Sequence, residues 1–187
     1  MNKHTLTIDH HSLSVPVGTT IWEAARGAGI DIPTLCHQPG LNQVGVCRVC
    51  CVEVEGARVP AASCCRQVEN GMVVRTKSER LERSRRMLVE LLLADHPQPC
   101  EKHRRWHSCE LELLAEQYGI AERRFLNSDL NGNQPSNLRS QISDLRSRDD
   151  SSPVSLVDHA ACIMCDRCVR AHGFMDQRFL GDYLRNG

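Results

Sequence analysis

Thr34-Leu35-Cys36-His37-Gln38-Pro39-Gly40-Leu41-Asn42-Gln43-Val44-Gly45-Val46-Cys47-Arg48-Val49-Cys50 is the stretch whose reading decides the fold. It sets three cysteines in one loop, and a fourth, Cys64, follows after a strand-forming run, giving the spacing C-x10-C-x2-C-x13-C. Three thiols in a loop and one arriving from beyond a hairpin encircle a compact centre, so metal ligation is the first reading of this region.

The flanks say what carries that loop. Upstream, Thr5-Leu6-Thr7-Ile8 and Leu13-Ser14-Val15 alternate polar and apolar residues around Asp9-His10-His11-Ser12, which predicts a β-hairpin. Thr20 with Glu23 predicts a capping box, and Ile21, Ala24, Ala25 and Ala28 recur at helical spacing up to Gly29. Downstream, Val52-Glu53-Val54, Arg58-Val59 around Gly56, and Met72-Val73-Val74-Arg75 predict short strands. The result is a small mixed sheet with one helix packed on it. Thr76 with Glu79 predicts a second capping box and a helix to about Asp95, with an apolar stripe of Leu81, Leu88, Leu91 and Leu92 and ion pairs Glu79/Arg83 and Glu82/Arg86. A third helix is expected from Cys109 to Tyr118. The polar run from Asn127 to Ser155 reads as a linker.

Eleven cysteines in 187 residues, with only 4% aromatic and 41% apolar residues, indicate that something besides a large core orders this chain. The opening residues lack a signal-peptide pattern, and the longest apolar run, Met87 to Ala94, is broken by Glu90 and too short to span a bilayer. A cytoplasmic chain with no transmembrane segment is therefore expected, in which clustered thiols serve as metal ligands rather than disulfides. The net charge of zero argues against nucleic acid as a partner; Arg80, Arg83, Arg85 and Arg86 read as an exposed basic helix face.

A [2Fe-2S] cluster needs four thiolates and backbone N–H groups directed at sulfur, and Gly40 and Gly45 let the loop approach closely. A structural zinc site is the competing reading, although zinc sites generally use two close cysteine pairs and only Cys47 and Cys50 form one here. The residues Pro33-Thr34-Leu35-Cys36-His37, Gly45-Val46-Cys47-Arg48-Val49-Cys50, Val52-Glu53-Val54, and Cys64 with Gly71-Met72 resemble the N-terminal region of the complex I large iron–sulfur subunit. The same resemblance extends to the catalytic subunit of NAD-dependent formate dehydrogenases, the diaphorase subunit of NAD-reducing hydrogenases, and iron-only hydrogenases. It implies an α+β chain whose β-grasp [2Fe-2S] ferredoxin domain uses Cys36, Cys47, Cys50 and Cys64, with Cys51 and Cys65 as spares. Cys64 is preferred to Cys65 because the resembled domains place the glycine before the last strand seven residues on, as Gly71 is here.

Two further motifs follow, each with a departure. His96, Cys100, His103 and Cys109 match a segment that in these families carries His-x3-Cys-x2-Cys-x5-Cys and binds [4Fe-4S], with His103 in place of a cysteine. A cluster, zinc in a Cys2His2 set, or a site that binds nothing are all open; His107 reads as a surface histidine and Trp106 as packing. Cys162, Cys165 and Cys168 form C-x2-C-x2-C, a [4Fe-4S] signature of bacterial ferredoxins, with His172 where a fourth cysteine is expected. His172, an outside thiolate, or [3Fe-4S] would each settle that deficit, as would truncation of a longer protein, or the site holds zinc or nothing. The expected divisions are 1–77 for the ferredoxin domain, 78–120 for the helical His/Cys segment, 121–157 for the linker and 158–187 for the incomplete ferredoxin motif.

No nucleophile triad, carboxylate pair or G-x-G-x-x-G turn is present, so no substrate site of the chain's own is expected. The resemblance implies an oxidoreductase component that relays single electrons between a nicotinamide or flavin module and a formate dehydrogenase, hydrogenase or complex I-like partner, with peripheral association to a membrane complex allowed. The alternative is a non-redox metal-binding or vestigial interaction protein with the first cluster alone or structural zinc.

Overall fold

The computed structural model describes residues 2–94, 96–97, 99–121, 148–149, 157–158 and 161–171. They fall into two compact units, one made of the described residues up to Arg85 together with those from Cys165 on, the other of those from Arg86 to Met164.

The first unit is built on a hairpin, β1 (Lys3–Ile8) and β2 (His11–Pro16), in antiparallel register from Lys3 opposite Pro16 to Ile8 opposite His11. Its turn is tighter than the alternation suggests: Asp9 and His10 alone make it, both at positive φ (45° and 73°). Two residues in that conformation match the twist of the flanking strands. The Asp9 carboxylate then accepts the Thr76 backbone N–H at 2.8 Å and the Thr76 hydroxyl, fastening the turn to the end of the last strand. α1 (Ile21–Gly27) starts at the expected Thr20/Glu23 capping box and puts Ile21, Ala24 and Ala25 inward. After the cysteine loop come β3 (Cys51–Val54), β4 (Ala61–Ala62) and β5 (Met72–Arg75). The sheet order is β2-β1-β5-β3-β4, with β1 parallel to β5 and the other neighbours antiparallel. Leu6, Ile8, Val52, Met72 and Val74 from the sheet meet Ile21, Ala24 and Ala25 from the helix, and Cys50 and Cys64 lie in the same core. This is the expected mixed sheet with one helix. Burial of each large aliphatic side chain there is worth about 1.5–3 kcal/mol.

Some expectations need correction. Arg58-Val59 is not a strand: Val59 is 66% exposed, and β3 pairs with Ala61–Ala62 instead. α2 spans Glu79–Leu93. Thr76 does not cap it, being engaged by Asp9; Ser78 does, its Oγ accepting the Leu81 N–H at 3.2 Å. The buried stripe of α2 is Leu81, Arg85, Val89, Glu90 and Leu93, and Leu91 is exposed. Glu79 pairs with Arg83 as expected, but Glu82 faces Arg85 and Arg86 turns to Glu90. Arg85 is thus no part of an exposed basic face.

In the second unit α3 (Glu101–Trp106), which the sequence reading lacks, precedes α4 (Glu110–Gln117), the expected third helix. Trp106 is exposed rather than packed, with the Arg105 guanidinium 6.0 Å from its ring. β6 (Arg148–Asp149), within the expected linker, pairs antiparallel with β7 (Val157–Asp158), which straddles its end; residues 122–147 and 150–156 of that linker lie outside the described residues. Among the described residues no helix is long and apolar enough to cross a membrane.

Ser78→Ala should expose the Leu81 amide to hydrogen exchange and cost about 1 kcal/mol of stability. Thr76→Val should leave Leu81 protected while loosening the Asp9 turn.

Candidate metal centre

Cys36, Cys47, Cys50 and Cys64 come together at the end of the first unit's sheet. Cys64 is delivered by a turn in which Cys65 and Arg66 donate to the Ala62 carbonyl. That turn is tied on both sides: the Ser63 hydroxyl donates to the Cys50 carbonyl at 2.7 Å, and the Ser63 carbonyl accepts the Trp22 N–H at the start of α1 at 3.0 Å. Between Cys47 and Cys50, Arg48 adopts φ +59°, which turns the chain sharply enough for both sulfurs to face inward. Gly45 lies at φ +62°, and a Cβ there would stand 2.9 Å from the Cys65 sulfur. The left-handed backbone there favours glycine, and any added Cβ would push the Cys65 sulfur aside.

The sulfurs touch in a defined order. The Cys50 and Cys64 sulfurs lie 3.4 Å apart. Cys36 lies against Cys47 and Cys64, so the contacts run Cys47–Cys36–Cys64–Cys50. The Cys47 thiol, together with Cys64 and the amides of Cys47 and Val46, holds the Cys36 thiol far below its ordinary range. Cys64, with its own amide and the Ser63 hydroxyl, draws Cys50 down to about 6. The donating partners move oppositely: Cys47 is pushed up chiefly by its bond to Cys36, and Cys64 by its bonds to Cys36 and Cys50. Cys36 and Cys50 are thus the sulfurs drawn toward the thiolate, and backbone N–H groups are already aimed at Cys36, Cys47 and Cys50.

This donor set fits two irons better than one ion. Around a single tetrahedral zinc, with Zn–S about 2.3 Å, all four sulfurs would stand about 3.8 Å from one another. Here they form an open chain, and the groups of three or more donors lying mutually within 4.8 Å among the described residues are two others, both in the second unit. Cys51 is buried with its thiol pushed up by desolvation, and Cys65 is exposed, 3.6 Å from Cys64.

Two arginines and a histidine surround the centre without a sequence signal that singled them out. Arg85, 3% exposed, donates from Nε to the Val49 carbonyl at 3.2 Å and from Nη2 to the Cys51 carbonyl at 2.7 Å, bracketing Cys50. Arg170 donates to the carbonyls of Cys36, Asn42 and Cys165, the last at 3.1 Å. His37 is buried edge-on against Trp22, ring centroids 4.5 Å apart, and desolvation holds its imidazole below the ordinary value. A buried arginine at a helix position with hydrophobic periodicity would have been the signal for Arg85, but arginine scores as surface.

In the second unit His96, Cys100 and Cys109 form a buried group with ligand atoms mutually within 4.8 Å, the His96 Nε2 lying 3.4 Å from the Cys109 sulfur. Burial pushes the Cys109 thiol up. His103 is not in that group; it joins His107 and Glu116. Of the last motif, Cys165 and Cys168 belong to the first unit and Cys162 to the second. Cys165 is half-buried, Cys162 and Cys168 are exposed, and Asp166 at φ +61° repeats the left-handed step of Arg48 between two cysteines. His172 lies outside the described residues.

With that geometry in hand, the sequence profile of the 2Fe-2S iron–sulfur cluster binding domain matches residues 2–79. The chain is 43% identical over 174 residues to an NADP-reducing hydrogenase subunit of Solidesulfovibrio fructosivorans, covering 90% of this chain and 27% of that one. It is 39% identical over 175 residues to an NADH-quinone oxidoreductase subunit of Mycobacterium bovis, covering 92% of this chain and 20% of the relative. A crystal structure of an NAD+-reducing [NiFe]-hydrogenase in the H2-reduced state superposes with a TM-score of 0.73 at 36% identity, covering 90% of this chain and 65% of that one. This chain therefore spans about a fifth to a quarter of the length of those two curated relatives.

Arg85→Ala leaves two buried carbonyls without their donor, and should cost about 2 kcal/mol or more, read as a lower urea midpoint. Arg85→Lys should recover only part, since an ammonium cannot fork across both carbonyls. An unchanged midpoint in the alanine variant would sink this role.

Proposed function

From the premise that residues 2–79 belong to the family of 2Fe-2S iron–sulfur cluster binding domains, we propose that this chain is an electron-transfer subunit or domain relaying single electrons between a nicotinamide or flavin module and a partner redox enzyme. Cys36, Cys47, Cys50 and Cys64 would hold a [2Fe-2S] cluster, a reading supported by the run of sulfur contacts from Cys47 through Cys36 and Cys64 to Cys50. The cluster supplies reversible one-electron storage. The chain's own residues keep four sulfurs converged, present N–H groups to them, and shield them behind α1 and β3. Relatives named as subunits of hydrogenases and of NADH-quinone oxidoreductase support partners of that kind. A non-redox reading is not favoured by these relatives.

The buried His96, Cys100 and Cys109 group is proposed as a second centre with three protein donors, and Cys162, Cys165 and Cys168 as a third, its fourth ligand being His172 or a group from outside. Within the first unit, Arg170 ties the Cys36 loop to the Cys165 carbonyl.

The observation that carries this reading is the converged, N–H-lined cysteine set. Electron paramagnetic resonance of the anaerobically isolated, dithionite-reduced chain tests it. The [2Fe-2S] signal should vanish in Cys47→Ala and in Cys64→Ala and persist in Cys51→Ala and Cys65→Ala. Loss of the signal in Cys51→Ala with retention in Cys64→Ala would overturn the ligand assignment.

A further inference from the structure

The histidine that replaces a cysteine in the second motif has other company. His103 stands on α3 and His107 caps its end, four residues on, where φ +47° turns the residue into the left-handed region. The two imidazoles lie 4.3 Å apart, tilted by 49°. Glu116, on α4, reaches both: His103 Nε2 lies 3.0 Å from one carboxylate oxygen and His107 Nε2 3.7 Å from the other. All three donor atoms lie within 4.8 Å of one another.

We propose that His103, His107 and Glu116 form a binding site for a single divalent cation of the zinc class, separate from the His96, Cys100 and Cys109 group.

The donor chemistry selects the ion. Two imidazole nitrogens and one carboxylate oxygen, with no thiolate, suit borderline divalent cations such as Zn2+, Co2+ or Ni2+, and offer nothing to the soft, sulfur-rich demands of an iron–sulfur cluster. Two histidines one helical turn apart with a third donor from a neighbouring helix leave one tetrahedral position open for water. Left-handed backbone at a non-glycine residue is strained, and a cation would offset that strain at His107. Bound there, the ion would staple the end of α3 to the end of α4, helices of six and eight residues that are short to stand alone. His103 is thereby committed away from the buried group, which accounts for its failure to join the residues it accompanies in sequence.

Titration of the full chain with Co2+ tests the site, because cobalt on thiolates gives intense near-ultraviolet charge-transfer bands and cobalt on nitrogen and oxygen does not. The wild-type chain, isolated anaerobically with its cysteine centres loaded, should take up one equivalent without those bands. His107→Ala and Glu116→Gln should each weaken that equivalent at least tenfold, with unchanged circular dichroism and an unchanged [2Fe-2S] signal. Equal thiolate-free uptake by the wild type and both variants, or no thiolate-free uptake by the wild type, would overturn the proposal. Because the cysteine set is untouched in these variants, a missing [2Fe-2S] signal in all three chains would contradict the electron-transfer reading without bearing on the histidine site.

Discussion

Four sulfurs held in contact are an electrostatic problem before they are a cofactor site. Four thiolates in contact would repel, and each buried charge among them needs hydrogen bonds to offset its desolvation. The first unit resolves this by alternation: Cys36 and Cys50 are driven toward the thiolate and Cys47 and Cys64 toward the thiol. Amide groups of Val46 and Cys47 add their dipoles at the Cys36 sulfur. Every other feature of the unit, from the Arg48 turn to the glycine at position 45, serves to keep that convergence in place.

The frame around it is assembled from distant parts of the chain. Ser63 connects Cys50 to α1, Arg85 joins α2 to the carbonyls flanking Cys50, and Arg170 joins the residues after Cys165 to the Cys36 loop. Each tie runs to backbone carbonyls rather than to sulfur, so the thiols stay available to iron while their positions are set from outside. Rigid support of ligands by such outer contacts is what tunes metal centres. The same economy extends to Asp9, whose carboxylate closes the hairpin on Thr76.

Much of this was legible in the residues. The hairpin, the Thr20/Glu23 box and the Met72–Arg75 strand follow from alternation and capping, which act within a few positions, whereas the choice of Cys64 over Cys65 rested on the family resemblance. What escaped depends on tertiary partners. Thr76 has the sequence of an N-cap, but Asp9, 67 positions away, takes both its donors, so Ser78 caps α2. Arg85 has the sequence of a surface residue, but two carbonyls left open beside the cysteine loop draw it inside. His103 occupies a cysteine position in its motif, yet Glu116 and His107 offer its imidazole a better set of neighbours than the buried sulfurs do. Where spacing alone speaks, residue type decides which partner is chosen.

The central claim is that the Cys36, Cys47, Cys50 and Cys64 set carries a two-iron redox centre, and metal and sulfide content tests it most directly. Quantifying iron, zinc and acid-labile sulfide per chain after anaerobic isolation, alongside Cys36→Ala, isolates this centre from the others. The account predicts that the substitution removes about two irons and two sulfides per chain, the content of one [2Fe-2S] cluster. Zinc without sulfide in the wild-type chain, or iron and sulfide content indifferent to Cys36, would contradict it.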